Sequence, residues 1–487
     1  MSEGNETKES MGKPVRGEKI SEVLAENMDF IDTRLSTDSN FDVVRRVVSI
    51  GGKNACMYFI DGFCKDELMQ KLLDRFMSIT PDKMPADAHE MSKQEIPYVE
   101  VDLEDDWEQI LYFLLAGVFI LFVDGYDKAL LIDARTYPSR SVDEPEKDKV
   151  LRGSKDGFVE TIVFNTALIR RRIRSPKLRM EMTTAGQNSK TDIVLCYMED
   201  RVDKALLENV KRKISQIKVD ALTMNQESLA ECLYRRKWYN PFPKFKYTER
   251  PDTAAAQVLE GNLVILVDNS PSAMILPTTI FDVVEEADDY YFPPITGTYL
   301  RLTRLLIALL TYLMTPTFLL LMKEPERIPE AFSFIMLKET PNVPLIWQFL
   351  ILELAIDGLR LAAVNTPNML STPLSVMAAL VLGEFSVNSG WFSSEVMLYM
   401  AFVAIANYTQ ANYELGYALK FMRILSLLLT QFFGIRGYVS GILITIYAII
   451  SNKTVAYTSY LYPLIPLDLP KLKSRLIRRR LPKSTDK

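Results

Sequence analysis

Glu384 is the only charged residue between Arg360 and Glu395. A carboxylate inside so long an apolar run is costly unless it faces water or a partner. On a helix, Met377, Leu380, Val387 and Asn388 fall near its face. It can face an aqueous path, pair with Arg360, Lys420 or Arg423, or sit at a membrane interface. A second group is Glu353, Asp357 and Arg360, spaced four and three apart, so that they share one helix face. A third is the run Arg170, Arg171, Arg172 and Arg174. It lies in RGSKDGFVETIVFNTALIRRRIRSPKLRM (152–180), which holds eight basic residues in a chain of net charge −5. Such a face can be solvated, brace two domains, or meet an acidic neighbour.

The elements that must position these groups divide into two regions. Residues 1–300 hold 39 basic and 51 acidic residues, a balance of −12; the remainder holds 18 and 11, a balance of +7. The first region reads as soluble and acidic, the second as apolar. LLIALLTYLMTPTFLLLM (305–322) carries no charge, and as a helix it rises about 27 Å, close to the thickness of a hydrocarbon core. Arg301 and Arg304 precede it as membrane anchors would, and Pro316 is expected to kink it. Further spans are expected at 372–390, 396–413, 415–434 and 437–452. Lys420 and Arg423 in 415–434 imply burial in a bundle or a partly interfacial position.

VPLIWQFLILELAIDGLRLAAV (343–364) is read as an interfacial or re-entrant helix in preference to a crossing helix of a polar-lined bundle, with Glu353, Asp357 and Arg360 as its polar face. The tail KLKSRLIRRRLPKSTDK has eight basic residues and one acid. It is expected on the cytoplasmic side, in contact with lipid headgroups. The N-terminal region has no apolar leader and is expected on the same side. Two inside ends require an even number of crossings.

The soluble region contains a repeat. NACMYFIDGFCKDELMQKLLDRFMSI (54–79) matches TDIVLCYMEDRVDKALLENVKRKISQI (191–217) in pattern: apolar strand, acidic turn, amphipathic helix. WEQILYFLLAGVFILFVDGYDKALLIDA (107–134) matches AAAQVLEGNLVILVDNSPSAMILPT (254–278): helix, strand, Asp124-Gly125 or Asp268-Asn269 turn, returning strand. The fold class is therefore α/β plus membrane helices: two related α/β subdomains followed by a polytopic α-helical domain. The expected organisation is a disordered segment (1–37), a first subdomain (38–137), a linker with the basic helix (138–179), a second subdomain (180–298), a transmembrane domain (299–466) and a basic tail (467–487).

Enzyme chemistry is not expected. The chain has no Walker loop, GxGxxG after a strand, HExxH or GxSxG, and nothing assembles a nucleophile, base and oxyanion site. Its four cysteines, Cys56, Cys64, Cys196 and Cys232, include no CxxC pair, and His89 is the single histidine. No metal site and no cofactor are expected. Nucleic acid is not an expected partner, because the region around the arginines is acidic and offers no interleaved aromatic platform.

Several phrases nevertheless converge. RGSKDGFVETIVFNTALIRRRI, PFPKFKYTERPD (241–252), GNLVILVDNSP (261–271), DDYY (288–291) and VLGEFSV (381–387) resemble signature segments of the spore germinant receptor A-subunit family (GerA type). The resemblance covers roughly 40–470. The ending YLYPLIPLDLPKLKSRLIRRR resembles an accessory branch of that family. LRLAAVNTP departs from nutrient-receptor A subunits, which carry an Arg-Glu-Ala segment before the proline. The resemblance implies a spore inner-membrane protein with its soluble domain on the core side. It implies a homo-oligomeric, pentameric ring around a pore, with a small polytopic membrane partner and other germination proteins. In such a ring, copies of Glu384 would select cations, with Met377, Leu380, Val387 and Asn388 beside them. Arg170, Arg171, Arg172 and Arg174 would brace each subunit on its neighbour. The implied activity is release of monovalent cations that amplifies germination; the alternatives are a nutrient-receptor A subunit and a non-conducting scaffold.

Overall fold

A computed structural model describes residues 19–135, 150, 152–234, 239–338, 340–365, 385–410 and 412–478. The chain forms two compact units. One comprises most of the first 276 residues; the other comprises 277 onward together with short pieces at 150–153 and 234–246.

The first unit contains two five-stranded sheets of one design. In the first half, α1 (Leu24–Leu35) precedes β1 (Val43–Ile50) and β2 (Lys53–Ile60), then α2 (Asp66–Ser78) and α3 (Ala88–Gln94). There follow β3 (Val101–Glu104), α4 (Trp107–Leu115), β4 (Phe119–Val123) and β5 (Ala129–Ile132). The second half repeats this order. It runs α5 (Ile162–Arg172), β6 (Leu178–Ala185), β7 (Thr191–Met198), α6 (Lys204–Ser215), α7 (Asn225–Leu233), β8 (Lys246–Thr248), α8 (Pro251–Leu259), β9 (Leu263–Val267) and β10 (Ala273–Leu276). The sheet orders correspond strand for strand, β1-β2-β4-β5-β3 and β6-β7-β9-β10-β8. β1 and β2 pair antiparallel from Val43↔Ile60 to Ile50↔Lys53, and β6 and β7 from Leu178↔Met198 to Ala185↔Thr191. The central strands β4 and β9 are wholly buried, FILFV and LVILV. Helices cover both faces, so these strands read as continuous apolar runs rather than alternating ones. The expected pair of related α/β subdomains is present.

The repeat extends further upstream than the sequence pattern indicated. Asn27 exchanges two hydrogen bonds with the backbone of Ser21, and Asn165 exchanges the same two with Val159. The first N–H groups of the two leading helices, Leu24 and Ile162, both donate to a hairpin-turn aspartate, Asp124 at 3.1 Å and Asp268 at 3.3 Å. The basic helix is therefore the opening helix of the second repeat rather than part of a linker. The reason is physical: α5 buries Ile162, Leu168 and Ile169 in the second half's core, so it belongs where its apolar face belongs.

The second unit is helical. After α9 (Ile280–Val284) and α10 (Asp288–Tyr291) comes α11 (Pro294–Lys323), which continues past Pro316. α12 (Leu345–Asn365), α13 (Ser386–Asn388), α14 (Ser394–Tyr408), α15 (Tyr413–Ile450) and α16 (Leu469–Leu476) follow. α15 is broken at Gly434, whose backbone is non-helical (φ 57°, ψ −134°). The position a Cβ would take on Gly441 lies 3.0 Å from the Ser426 Cα. In a straight helix fifteen residues separate two turns by about 22 Å, so the chain reverses at Gly434. Gly437 packs against the Leu429 carbonyl, and the absence of side chains at 437 and 441 lets the two arms touch.

Contacts fix the direction of each pass. Arg423 reaches the Thr311 carbonyl, and Lys323 reaches Gln431, so the first arm of α15 runs with α11. The second arm runs against it, with Tyr438 on Thr317 and Thr445 on Tyr312. α12 also opposes α11: Phe349 packs on Phe318 while Glu353 sits near the level of Thr311. α14 runs with α12, from Tyr399 beside Phe318 to Tyr408 beside Arg360. The bundle thus begins and ends, at Pro294 and Ile450, on one side. α12 reaches the Arg360 end, and at the other end Asn342 donates to the Gly390 carbonyl.

Among the described residues two helices, α11 and α15, are long and apolar enough to cross a membrane. Only 33% and 17% of their most apolar stretches are buried. Apolar side chains therefore point outward, among them Leu306, Leu309, Leu443 and Ile446, the reverse of a core helix in a water-soluble fold.

Candidate functional site

Helix α12 carries Glu353, Asp357 and Arg360 on one face, and α15 carries Lys420 and Arg423 on one face. The two faces meet. Arg423 Nε donates to Glu353 Oε1 at 2.9 Å, a second guanidinium nitrogen bonds the same oxygen, and Nη1 donates to the Thr311 carbonyl at 3.0 Å. Lys420 Nζ lies 3.5 Å from Glu353 Oε2, donates to the Glu353 carbonyl at 3.2 Å, and pairs with Asp357. Glu353 is 3% exposed, Lys420 5% and Arg423 0%. Arg360 lies over the rings of Tyr408 and Tyr417, 5.2 and 5.4 Å from their centroids. Two acids and two bases close into a neutral cluster, and the third base is held by aromatic faces.

Of the two readings of 343–364, this arrangement favours a helix of a polar-lined bundle over an interfacial or re-entrant one. The charged face points inward onto α15, and Trp347, Leu354 and Leu361 point outward. An ion-paired face can be buried at mid-bundle because its partners neutralise it; an unpaired one could not. Lys420 and Arg423 are buried as the bundle reading required, and their partners are Glu353 and Asp357. The sequence held a signal for this pairing, two acids at i,i+4 on one helix and two bases at i,i+3 on another. Spacing alone does not say which helices dock.

Of the five residues expected beside a pore, Met377, Leu380 and Glu384 lie outside the described residues. Val387 is half-buried and Asn388 exposed in the short helix α13, which is followed two residues later by Gly390 with φ 73°. Among the described residues, no group of His, Cys, Asp and Glu is placed to hold a metal ion.

The arginine run is engaged within its own chain. Arg170 is 1% exposed and forms a bidentate pair with Asp42 at 2.7 and 3.0 Å, joining the second repeat to the first. Arg172 bonds Asp156 at 2.7 Å and Ser154 at 3.0 Å, and Arg174 reaches the Tyr112 hydroxyl at 3.5 Å. Arg171 is exposed and also has a partner. Arg170 is thus a brace between repeats: a fully enclosed guanidinium cannot reach a neighbouring subunit.

Arg301 and Arg304, expected as headgroup anchors, are 4% and 7% exposed. They bond Glu285 and Asp289 just upstream of α11.

The sequence pattern of the Bacillus/Clostridium GerA spore germination proteins matches residues 29–487. The chain belongs to the GerA family. Stage V sporulation protein AF of Bacillus subtilis (strain 168) is 38% identical over 459 residues, 94% of this chain and 93% of that protein. The uncharacterized membrane protein YfkQ of the same organism is 30% identical, over 88% of this chain and 83% of its own length. Spore germination protein KA, also of Bacillus subtilis (strain 168), is 26% identical, over 94% and 85%. The crystal structure of the N-terminal domain of the A subunit of the Bacillus megaterium spore germinant receptor GerK3 aligns with a TM-score of 0.42. It is 26% identical and covers 53% of this chain and 96% of that one. This GerA protein is a spore germination protein.

Proposed function

We propose that this GerA-family protein assembles into a ring, pentameric on the family pattern, that conducts monovalent cations across the spore inner membrane and amplifies germination. The observation that carries the reading is the neutral cluster of Glu353, Asp357, Lys420 and Arg423, enclosed by helices whose outer surfaces are apolar. Charged groups inside such a bundle are costly, and where they occur they stabilise polar paths or the elements that border them. In this reading the soluble unit and the C-terminal tail face the spore core. Glu384 contributes one carboxylate per subunit to a ring that selects cations, with Met377 and Leu380 next to it. A small polytopic membrane protein and anionic lipids complete the assembly.

The test begins with the mass of the purified protein in mild detergent, by light scattering corrected for bound detergent. A discrete ring-sized oligomer is expected. Reconstituted protein should pass K⁺ or Na⁺, and Glu384→Gln should reduce that flux. A monomer, with and without membrane partners, would overturn the ring. An oligomer without flux leaves the scaffold. Loss of one nutrient response on gene deletion, instead of slowing of all, would assign the protein to the nutrient-receptor A subunits.

A further inference from the structure

The C-terminal helix α16 does not hang free as an anchor. Arg475 Nη1 lies 2.9 Å from Asp282 Oδ1 and 2.9 Å from Glu285 Oε2. Arg301, at the root of α11, bonds Glu285 Oε1 at 2.9 Å and also donates to the Arg475 carbonyl at 2.6 Å. One glutamate thus holds two arginines, one from α11 and one from α16. Two residues further on from α16, the Arg478 N–H donates to Thr298 Oγ1 at 3.1 Å, and its guanidinium reaches the Tyr290 carbonyl.

The fit depends on Gly297. A Cβ there would collide with the Asp289 carbonyl and approach the Arg478 Cδ at 2.9 Å. The α11 root is therefore bare where the acidic segment and the tail press on it from either side.

Charge explains why the tail belongs there. Asp282, Glu285 and Asp289 are all nearly enclosed, at 6%, 6% and 0% exposure. Arg301 and Arg304 are the enclosed arginines on α11, and Lys246 Nζ donates to the Glu285 carbonyl at 2.9 Å. Enclosed carboxylates need full compensation. Arg475 contributes to it from outside, and its side chain, at 28% exposed, is far more accessible than those of Arg301 and Arg304 at 5% and 9%. Of these three arginines it is the one that water reaches.

We infer that α16 is a releasable clasp: Arg475 locks the C-terminal helix and the acidic segment 282–289 together onto the root of α11, and its release loosens that root. The consequence for conduction rests on the channel reading above; the clasp itself does not.

The experiment uses the full chain in mild detergent. Trypsin cuts at Lys471 and Lys473 are followed by mass spectrometry in wild type, Arg475→Lys and Arg475→Glu. Cleavage of a locally opened segment tracks its opening equilibrium. Arg475→Glu should be cut at least about tenfold faster than wild type, and Arg475→Lys close to wild type. Equal rates in wild type and Arg475→Glu would overturn the clasp. Thr298→Cys with Arg478→Cys, oxidised in the Arg475→Glu background, should restore protection. A variant that had merely misfolded would not be rescued, and absence of rescue also counts against the clasp. In reconstituted vesicles, Arg475→Glu should change the basal cation leak and the oxidised pair should reverse the change. A tail that opens without altering the leak overturns the coupling alone. A wild type that never conducts removes the channel reading and leaves the clasp to the protease result.

Discussion

Asn27 and Asn165 do the same work 138 residues apart. Each side-chain amide closes a loop with the residue six positions before it, Ser21 and Val159, at 2.6–2.9 Å and 2.5–2.8 Å. Such a match in hydrogen bonding, at sites of unlike local sequence, marks the two halves as copies of one fold. Removing either amide leaves backbone groups without partners, at about 1–3 kcal/mol. Asn27→Ala and Asn165→Ala should lower the unfolding midpoint of the first unit by similar amounts. An effect confined to one of them would show that the copies have diverged in what holds them.

Arg170 and Asp42 tie the copies together. Breaking one partner of an enclosed pair costs about 3–5 kcal/mol, because the other is left charged and buried. Arg170→Ala and Asp42→Ala should each destabilise by that order. Arg170→Met with Asp42→Leu should recover much of the loss, measured by denaturant unfolding. If either single change is neutral, the pair is not the brace.

The cluster in the helical bundle makes a parallel prediction. Glu353→Gln strands Arg423 and Lys420 beside a neutral amide and should lower the melting temperature in detergent. Glu353→Gln with Arg423→Met should be less harmful than the sum of the two single changes, since each removes the other's unpaired charge. Additive losses would mean that the two groups do not depend on one another.

Glu285 links stability to pH. Burial pushes its carboxyl upward, but Lys246, Arg475 and Arg301 outweigh burial and hold it below its ordinary value of 4.5. A carboxylate with a lowered folded-state value stabilises at all pH above the unfolded value and loses that contribution as pH falls through the folded one. The tail should therefore stay protected from cleavage at neutral pH and become accessible on acidification below about 4.5, with a pepsin-type protease as the probe. Arg475→Glu should abolish the transition by exposing the tail at every pH.

Thiol chemistry offers a simple check of the core. Burial pushes the Cys56 thiol up to about 12, and it raises Cys196 as well. Both should resist iodoacetamide at pH 8 in the native protein and react once it is unfolded, as counted by mass spectrometry. Rapid native labelling of Cys196 would contradict the packing of β7.

Much of this organisation was legible in the order of residues. Local pattern identified the duplicated strand–helix units, because alternation, acidic turns and helical periodicity are properties of short stretches. It also separated the acidic α/β region from the apolar helices, and it placed the break between 415–434 and 437–452 near where Gly434 turns the chain. It set Glu353 and Asp357 on one helix face and Lys420 and Arg423 on another. What it could not decide was partnership. Whether Arg170 meets Asp42 or a second subunit, whether Glu353 faces headgroups or Arg423, and whether Arg475 lies on a membrane or on Glu285 depend on which surfaces dock across 70 to 190 residues of chain. Those choices are made by packing: each charge goes where the enclosed opposite charge leaves least unpaired, and only the assembled tertiary structure contains both.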